Sequence, residues 1–190
     1  MKKHFVAILL AFIMITMGST VVYGEAANIL VAYFSATGNT RALAEHIADA
    51  LDAVIYEIQP EISYTAADLN YRDSTSRASL EKNDASIRPA ITETVKNMEK
   101  YDIVFLGYPI WWGQAPRIIC TFLESYDFSG KTIVPFCTSG SSGIGSSATN
   151  LQKLCADSAT WLPGMRSPRE ASRDETIAWI NGLGLDIIAK

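Results

Sequence analysis

The sequence predicts an α/β protein: a three-layer, doubly wound, five-stranded parallel sheet with helices on both faces. Three observations lead there. A nearly unbroken apolar run, Asn28-Ile-Leu-Val-Ala-Tyr-Phe34, suits a strand buried on both sides. An amphipathic stripe follows it at once, and strand and helix patterns then alternate to the end of the chain, as right-handed crossovers between parallel strands require. Finally, 190 residues with 48% hydrophobic and 19% charged residues can bury one sizeable core.

Taken in order, residues 40–52 carry Leu43, Ile47 and Leu51 on one side and Arg41, Glu45, Asp49 and Asp52 on the other, a helix with one apolar face. Ala53–Ile58 is the second strand, Pro89–Lys100 a helix bearing Ile91, Val95 and Met98, and Asp102–Tyr108 the third strand. Pro116 stands where a first-turn proline is tolerated and opens a helix through Tyr126, with Ile119, Phe122 and Leu123 inward. Lys131–Cys137 is the fourth strand, Leu151, Leu154 and Cys155 mark a fourth helix, and Ala159–Leu162 is a short fifth strand. Ser172 and Glu175 form a capping box for a last helix with Ile177, Ile180 and Leu183. The connection Pro60–Arg88 is too long to be idle, and Ser74–Asp84 within it reads as an extra helix.

Ahead of this domain, Lys2 and Lys3 precede an uncharged apolar run from Phe5 to Met17, the layout of a signal peptide over residues 1–24. The alternative is an uncleaved anchor lengthened by Val21, Val22 and Tyr23. No paired arginines precede the run, so export before folding is expected, with any cofactor acquired outside. The domain is then residues 25–190, exported and extracytoplasmic, touching a membrane only through an uncleaved segment. Its 14 basic residues face 20 acidic ones, and a net charge of -6 makes nucleic acid a poor partner. Cys120, Cys137 and Cys155 match no zinc spacing and read as core residues.

Ligands of such sheets bind beyond the carboxyl ends of the strands, where strand order reverses. Three turns reach that place. Ser35-Ala36-Thr37-Gly38-Asn39-Thr40 joins the first strand to the first helix. Free first-turn amides and the helix dipole favour an anion there, Ser35, Thr37, Asn39 and Thr40 add short side-chain donors, and Gly38 permits close backbone approach. More donors surround one glycine than an ordinary helix cap needs, so a phosphate group is expected. Pro109-Ile110-Trp111-Trp112-Gly113-Gln114 follows the third strand and offers aromatic faces to a flat conjugated ligand, with one tryptophan of the pair expected to pack inward. Thr138-Ser139-Gly140-Ser141-Ser142-Gly143 follows the fourth strand, and its glycines allow contact with a ring edge.

Together these three turns resemble those of the flavodoxin family, across nearly all of residues 25–190. The resemblance implies a strand order of 2-1-3-4-5 and non-covalently bound FMN. It implies a phosphate site on Ser35, Thr37, Gly38, Asn39 and Thr40, a first ring loop of Pro109, Ile110, Trp111, Trp112 and Gly113, and a second of Thr138, Ser139, Gly140 and Gly143. The peptide between Trp112 and Gly113 is then the candidate to hydrogen-bond flavin N5. The second ring loop lacks the aromatic residue that many electron carriers of the family place there, which leaves Tyr64 or Tyr71 to cover that side or a small electron acceptor to enter. Neither ring loop carries Lys or Arg, which predicts a low potential for the last electron.

The function expected is electron transfer through the flavin, to a redox partner protein or a small-molecule acceptor. Two alternatives stand beside it: an NAD(P)H-dependent two-electron reductase of quinones or nitro compounds, and a non-catalytic binding module on the same fold. A nucleoside triphosphate site is disfavoured by the missing Gly-x-x-x-x-Gly-Lys loop and its lysine. A serine hydrolase is excluded by the missing Gly-x-Ser-x-Gly elbow and by His46 being the only histidine after residue 24, read here as a solvated helix residue.

Overall fold

The computed structural model describes residues 27–168, 172–187 and 189; the segment read as a signal peptide lies outside them. The chain forms β1 (Ile29–Tyr33), α1 (Asn39–Leu51), β2 (Val54–Glu57), α2 (Arg77–Asn83), β3 (Ile103–Pro109), α3 (Arg117–Glu124), β4 (Thr132–Thr138), α4 (Ser147–Gln152), β5 (Thr160–Trp161), β6 (Met165–Ser167) and α5 (Arg173–Asn181). All the pairings are parallel and the order is β2-β1-β3-β4-β5, with β6 also on β4. The expected order 2-1-3-4-5 is therefore observed, and strand order reverses between β1 and β3.

Side chains alternate across the sheet, which divides the core in two. On one face Leu30, Ala32, Val104, Leu106 and Ile133 meet Ile118, Ile119, Phe122 and Leu123 of α3. On the other, Val31, Phe105, Val134 and Phe136 meet Leu43, Ala44 and Ile47 of α1 and Ile180 of α5. A fully buried side chain such as Ile47 contributes about 1.5–3 kcal/mol through area removed from water. Cys120 and Cys137 are buried in these layers, Cys155 is half-buried, and all three are free thiols.

The fourth helix is shorter than read: α4 ends at Gln152, and Leu154 and Cys155 lie in the turn beyond it, their N–H groups donating to Leu151 O and Gln152 O. Two further elements differ in kind from the sequence reading. Residues 89–100 are not a helix: they run extended, with Pro60 and Ile91 forming an antiparallel bridge, and end in a single 3-10 turn at Met98–Lys100. Ile91, Thr92, Thr94 and Val95 are β-branched, and local partners outside a helix satisfy this backbone. Glu61 N–H donates to Ala90 O at 2.9 Å, Thr92 N–H to Gln59 O at 2.9 Å and Val95 N–H to the Tyr126 hydroxyl at 2.6 Å. Ile91 and Val95 still pack against the core, so the apolar spacing was real but not helical. The expected helix around Ser74–Asp84 is α2, capped by Ser76.

The second difference lies at the sheet edge. The fifth strand is interrupted at Leu162-Pro163-Gly164 and resumes as β6, which pairs with the last three residues of β4. The capping box of Ser172 and Glu175 is present at the start of α5.

Candidate functional site

The carboxyl ends of β1, β3 and β4 carry the three turns to one rim. Between them is a cleft of about 420 Å³, lined by Ala36, Thr37, Asn39, Leu69, Tyr71, Pro109, Ile110, Trp111, Thr138, Ser139, Gly140 and Pro168. Of the residues singled out from the sequence, the cleft thus gathers Thr37, Asn39, Pro109, Ile110, Trp111, Thr138, Ser139 and Gly140. Ser35 faces an adjoining polar recess with Arg41, Glu57 and Gln59, Thr40 is buried beneath the turn, and Gly38 caps α1. Trp112, Gly113 and Gly143 lie outside the lining.

The first turn is built to leave its amides free. Gly38, at φ +87°, is the N-cap of α1 and supplies no side-chain cap. Among the described residues no protein acceptor meets the N–H groups of Thr37, Gly38, Asn39, Thr40 or Arg41. The Ser35 hydroxyl is buried without a partner, an expensive arrangement unless a ligand completes it. Space around Gly38 is open, with no atom within 4 Å of where a Cβ would stand. These features fit a phosphate group: free donors, a helix dipole and room. Arg41 pairs instead with Glu57, its Nη2 donating to both carboxylate oxygens at 2.7 Å.

Cross-links fix the three turns relative to each other. The Thr40 and Thr138 hydroxyls share a buried hydrogen bond of 2.8 Å, Ile110 N–H donates to Thr138 O at 3.0 Å, and Asn150 donates to the Gln114 side chain at 2.9 Å. The two tryptophans part. Trp111 is buried against Phe34 and Tyr64, with ring centroids 5.7 and 5.2 Å away. Trp112 turns outward onto Tyr71 at 4.5 Å. Trp112 and Gly113 form a two-residue hairpin tip closed by Trp111 N–H to Gln114 O and Gln114 N–H to Trp111 O, both with positive φ, +47° and +76°. A bulky residue at positive φ is strained, and such strain concentrates at functional sites.

Tyr64 and Tyr71 take different places. Tyr71 lines the cleft, whereas Tyr64 is turned into the core, its hydroxyl donating to Glu81 at 2.7 Å. Glu81, buried, also pairs with Arg77 at 2.8 Å, and the Arg77 guanidinium lies 3.9 Å over the Tyr64 ring. Burial, reinforced by Glu81, raises the Tyr64 pKa far above its ordinary value. Desolvation likewise pushes the Cys137 thiol up to about 12, against the opposing charge of Arg166. His46 is half-buried rather than solvated, and its Nδ1 is shielded.

Residues outside the three turns complete the site. Leu69 and Tyr71 come from the long connection, and Pro168 follows β6. Arg166 on β6 donates from Nε and Nη2 to the Ser139 carbonyl at 3.2 and 2.8 Å. Only the split of the last strand brings Arg166 there, and no local motif announces it.

A doubly wound sheet whose switch-point cleft joins an uncapped helix start to an aromatic wall has the form of a nucleotide-cofactor protein. Consistent with that class, a family model described as flavodoxin matches residues 28–183, and the chain belongs to the flavodoxin family. Two solved structures assigned as flavoproteins are similar to it. One, from Bacteroides eggerthii, is 45% identical, covering 85% of this chain and 100% of its own, with a TM-score of 0.79. The other, from Bacteroides uniformis, is 46% identical, covering 83% of this chain and 99% of its own, with a TM-score of 0.77. A flavoprotein from Lactobacillus acidophilus in complex with FMN shares the fold at 19% identity, covering 84% of this chain and 100% of its own, with a TM-score of 0.63. No functionally curated protein matches the chain.

Proposed function

We propose that this is an exported redox protein that holds FMN non-covalently in the switch-point cleft and passes electrons through it. The uncapped start of α1, whose first-turn amides have no protein acceptor, carries this reading, and the partnerless Ser35 hydroxyl in the preceding turn adds to it: such donors suit a phosphate dianion. FMN supplies the electron-transfer chemistry when bound, and the chain's work is to bind, orient and shield it. Ser35, Thr37 and the amides of residues 38–41 hold the phosphate. Trp111 and Tyr71 wall the ring, and the backbone of Ser139 and Gly140 borders its edge. The strained tip of Trp112 and Gly113 stands beside the cleft with a peptide free to reorient. Cleavage of residues 1–24 and delivery of electrons to a protein or small-molecule acceptor belong to the same proposal.

The test compares FMN with riboflavin, which lacks the phosphate, by quenching of flavin fluorescence. Ser35→Ala and Thr37→Ala are expected each to weaken FMN about tenfold, the loss of one charge-assisted hydrogen bond, and to leave riboflavin nearly unchanged. Equal losses for both ligands would remove the phosphate assignment. One observation favours the reductase as a second reading: residues 140–143 are exposed and carry no aromatic side chain, so that side of the cleft is open. Rapid FMN-dependent oxidation of NAD(P)H with a quinone would decide for it.

A further inference from the structure

Building on the assignment of the cleft to FMN, we propose that Arg166 is a positioning residue for the second ring loop and a fixed positive charge that favours the reduced flavin over the oxidised one. Arg166 stands on β6 opposite Cys137 in the parallel register with β4. Its guanidinium grips the Ser139 carbonyl through two donors, while the Ser139 N–H donates to Ser167 O at 3.0 Å. Both backbone groups of this cleft-lining residue are therefore committed to β6, which sets how far the loop stands from the ring.

The charge matters as much as the clamp. Arg41, Arg77 and Arg88 are neutralised by Glu57, Glu81 and Glu124, whereas Arg166 forms no ion pair among the described residues. A guanidinium keeps its charge throughout the working pH range, and a partly buried one is poorly screened by salt. At neutral pH, two-electron reduction adds negative charge to the flavin ring and none to its phosphate. A cation behind the ring loop therefore discriminates between the two redox forms, which a phosphate contact does not. The absence of Lys and Arg from the ring turns predicts a low potential; Arg166, arriving from another strand, acts in the opposite direction.

The test measures binding of oxidised FMN, and of FMN reduced beforehand with dithionite under anaerobic conditions, to wild-type protein and to Arg166→Gln, Arg166→Met and Arg166→Lys. Near-UV circular dichroism identifies the folded variants, and having two neutral replacements guards against one that fails to fold. The neutral variants are expected to lose about tenfold in affinity for reduced relative to oxidised FMN, equivalent to about 30 mV in a two-electron midpoint potential. Arg166→Lys, which keeps the charge, is expected to stay within about threefold of the wild-type ratio. An unchanged ratio, whether both forms weaken equally or neither changes, would overturn the proposal while FMN binding stood. A wild-type protein that takes up neither form would overturn the underlying site assignment as well.

Discussion

Trp112 and Gly113 show how much conformation a single turn can demand. Both sit at positive φ, and nothing lies within 4 Å of where a Gly113 Cβ would be, so a substitution there meets backbone strain alone. Gly113→Ala is expected to destabilise the flavin-free protein by about 1–2 kcal/mol. Gly113→Asn, whose side chain tolerates the left-handed region, is expected to cost less. Urea unfolding of the two variants gives the comparison, and equal stabilities would show that the tip relaxes. At this scale the site is legible where chemistry and sequence neighbourhood coincide: Thr37, Gly38 and Asn39 form one turn, so their shared role is visible in the string. Arg166 is illegible for the opposite reason, since its partner Ser139 is 27 residues away and only strand pairing joins them.

Among the elements, the central strands β1, β3 and β4 are legible because a parallel strand buried on both faces is a continuous apolar run. The segment 89–100 misleads because its apolar residues fall at helical spacing while its β-branched content and its partners at 59–61 favour extension. What anchors the long connection is α2, through the cluster of Tyr64, Arg77 and Glu81 beneath Trp111. Glu81 is the hub, buried and bonded to both partners. Glu81→Ala leaves the Tyr64 phenol without its acceptor and the Arg77 guanidinium with the Ile62 carbonyl alone, and a cost of about 3 kcal/mol is expected in thermal or urea unfolding. A loss below about 1 kcal/mol would show that water replaces the carboxylate. Because this cluster supports one wall of the cleft, the same variant is expected to weaken FMN as well.

For the whole molecule, the acid limit follows from carboxylates that the fold holds ionised. The Arg88 guanidinium lowers the Glu124 pKa; hydrogen bonds from Thr65, Thr75, Ser86 and Ser129 lower those of Asp68, Asp73, Asp84 and Asp127. A depressed folded-state pKa contributes stability above the unfolded value, roughly pH 4 for these groups, and the contribution is lost as pH falls through the folded value. The melting temperature is therefore expected to be insensitive to these groups from pH 7 down to about 5 and to fall below about 4. A flat profile to pH 3 would mean that the caps persist in the unfolded chain.

Fold and site meet in one claim: unpaired amides at the start of α1 capture the phosphate of FMN. Amide chemical shifts of residues 38–41, followed by NMR as FMN and then riboflavin are added, test it directly. Large downfield shifts are expected at these amides with FMN, and little change with riboflavin. Saturating FMN that moves only residues elsewhere on the sheet rim would contradict it.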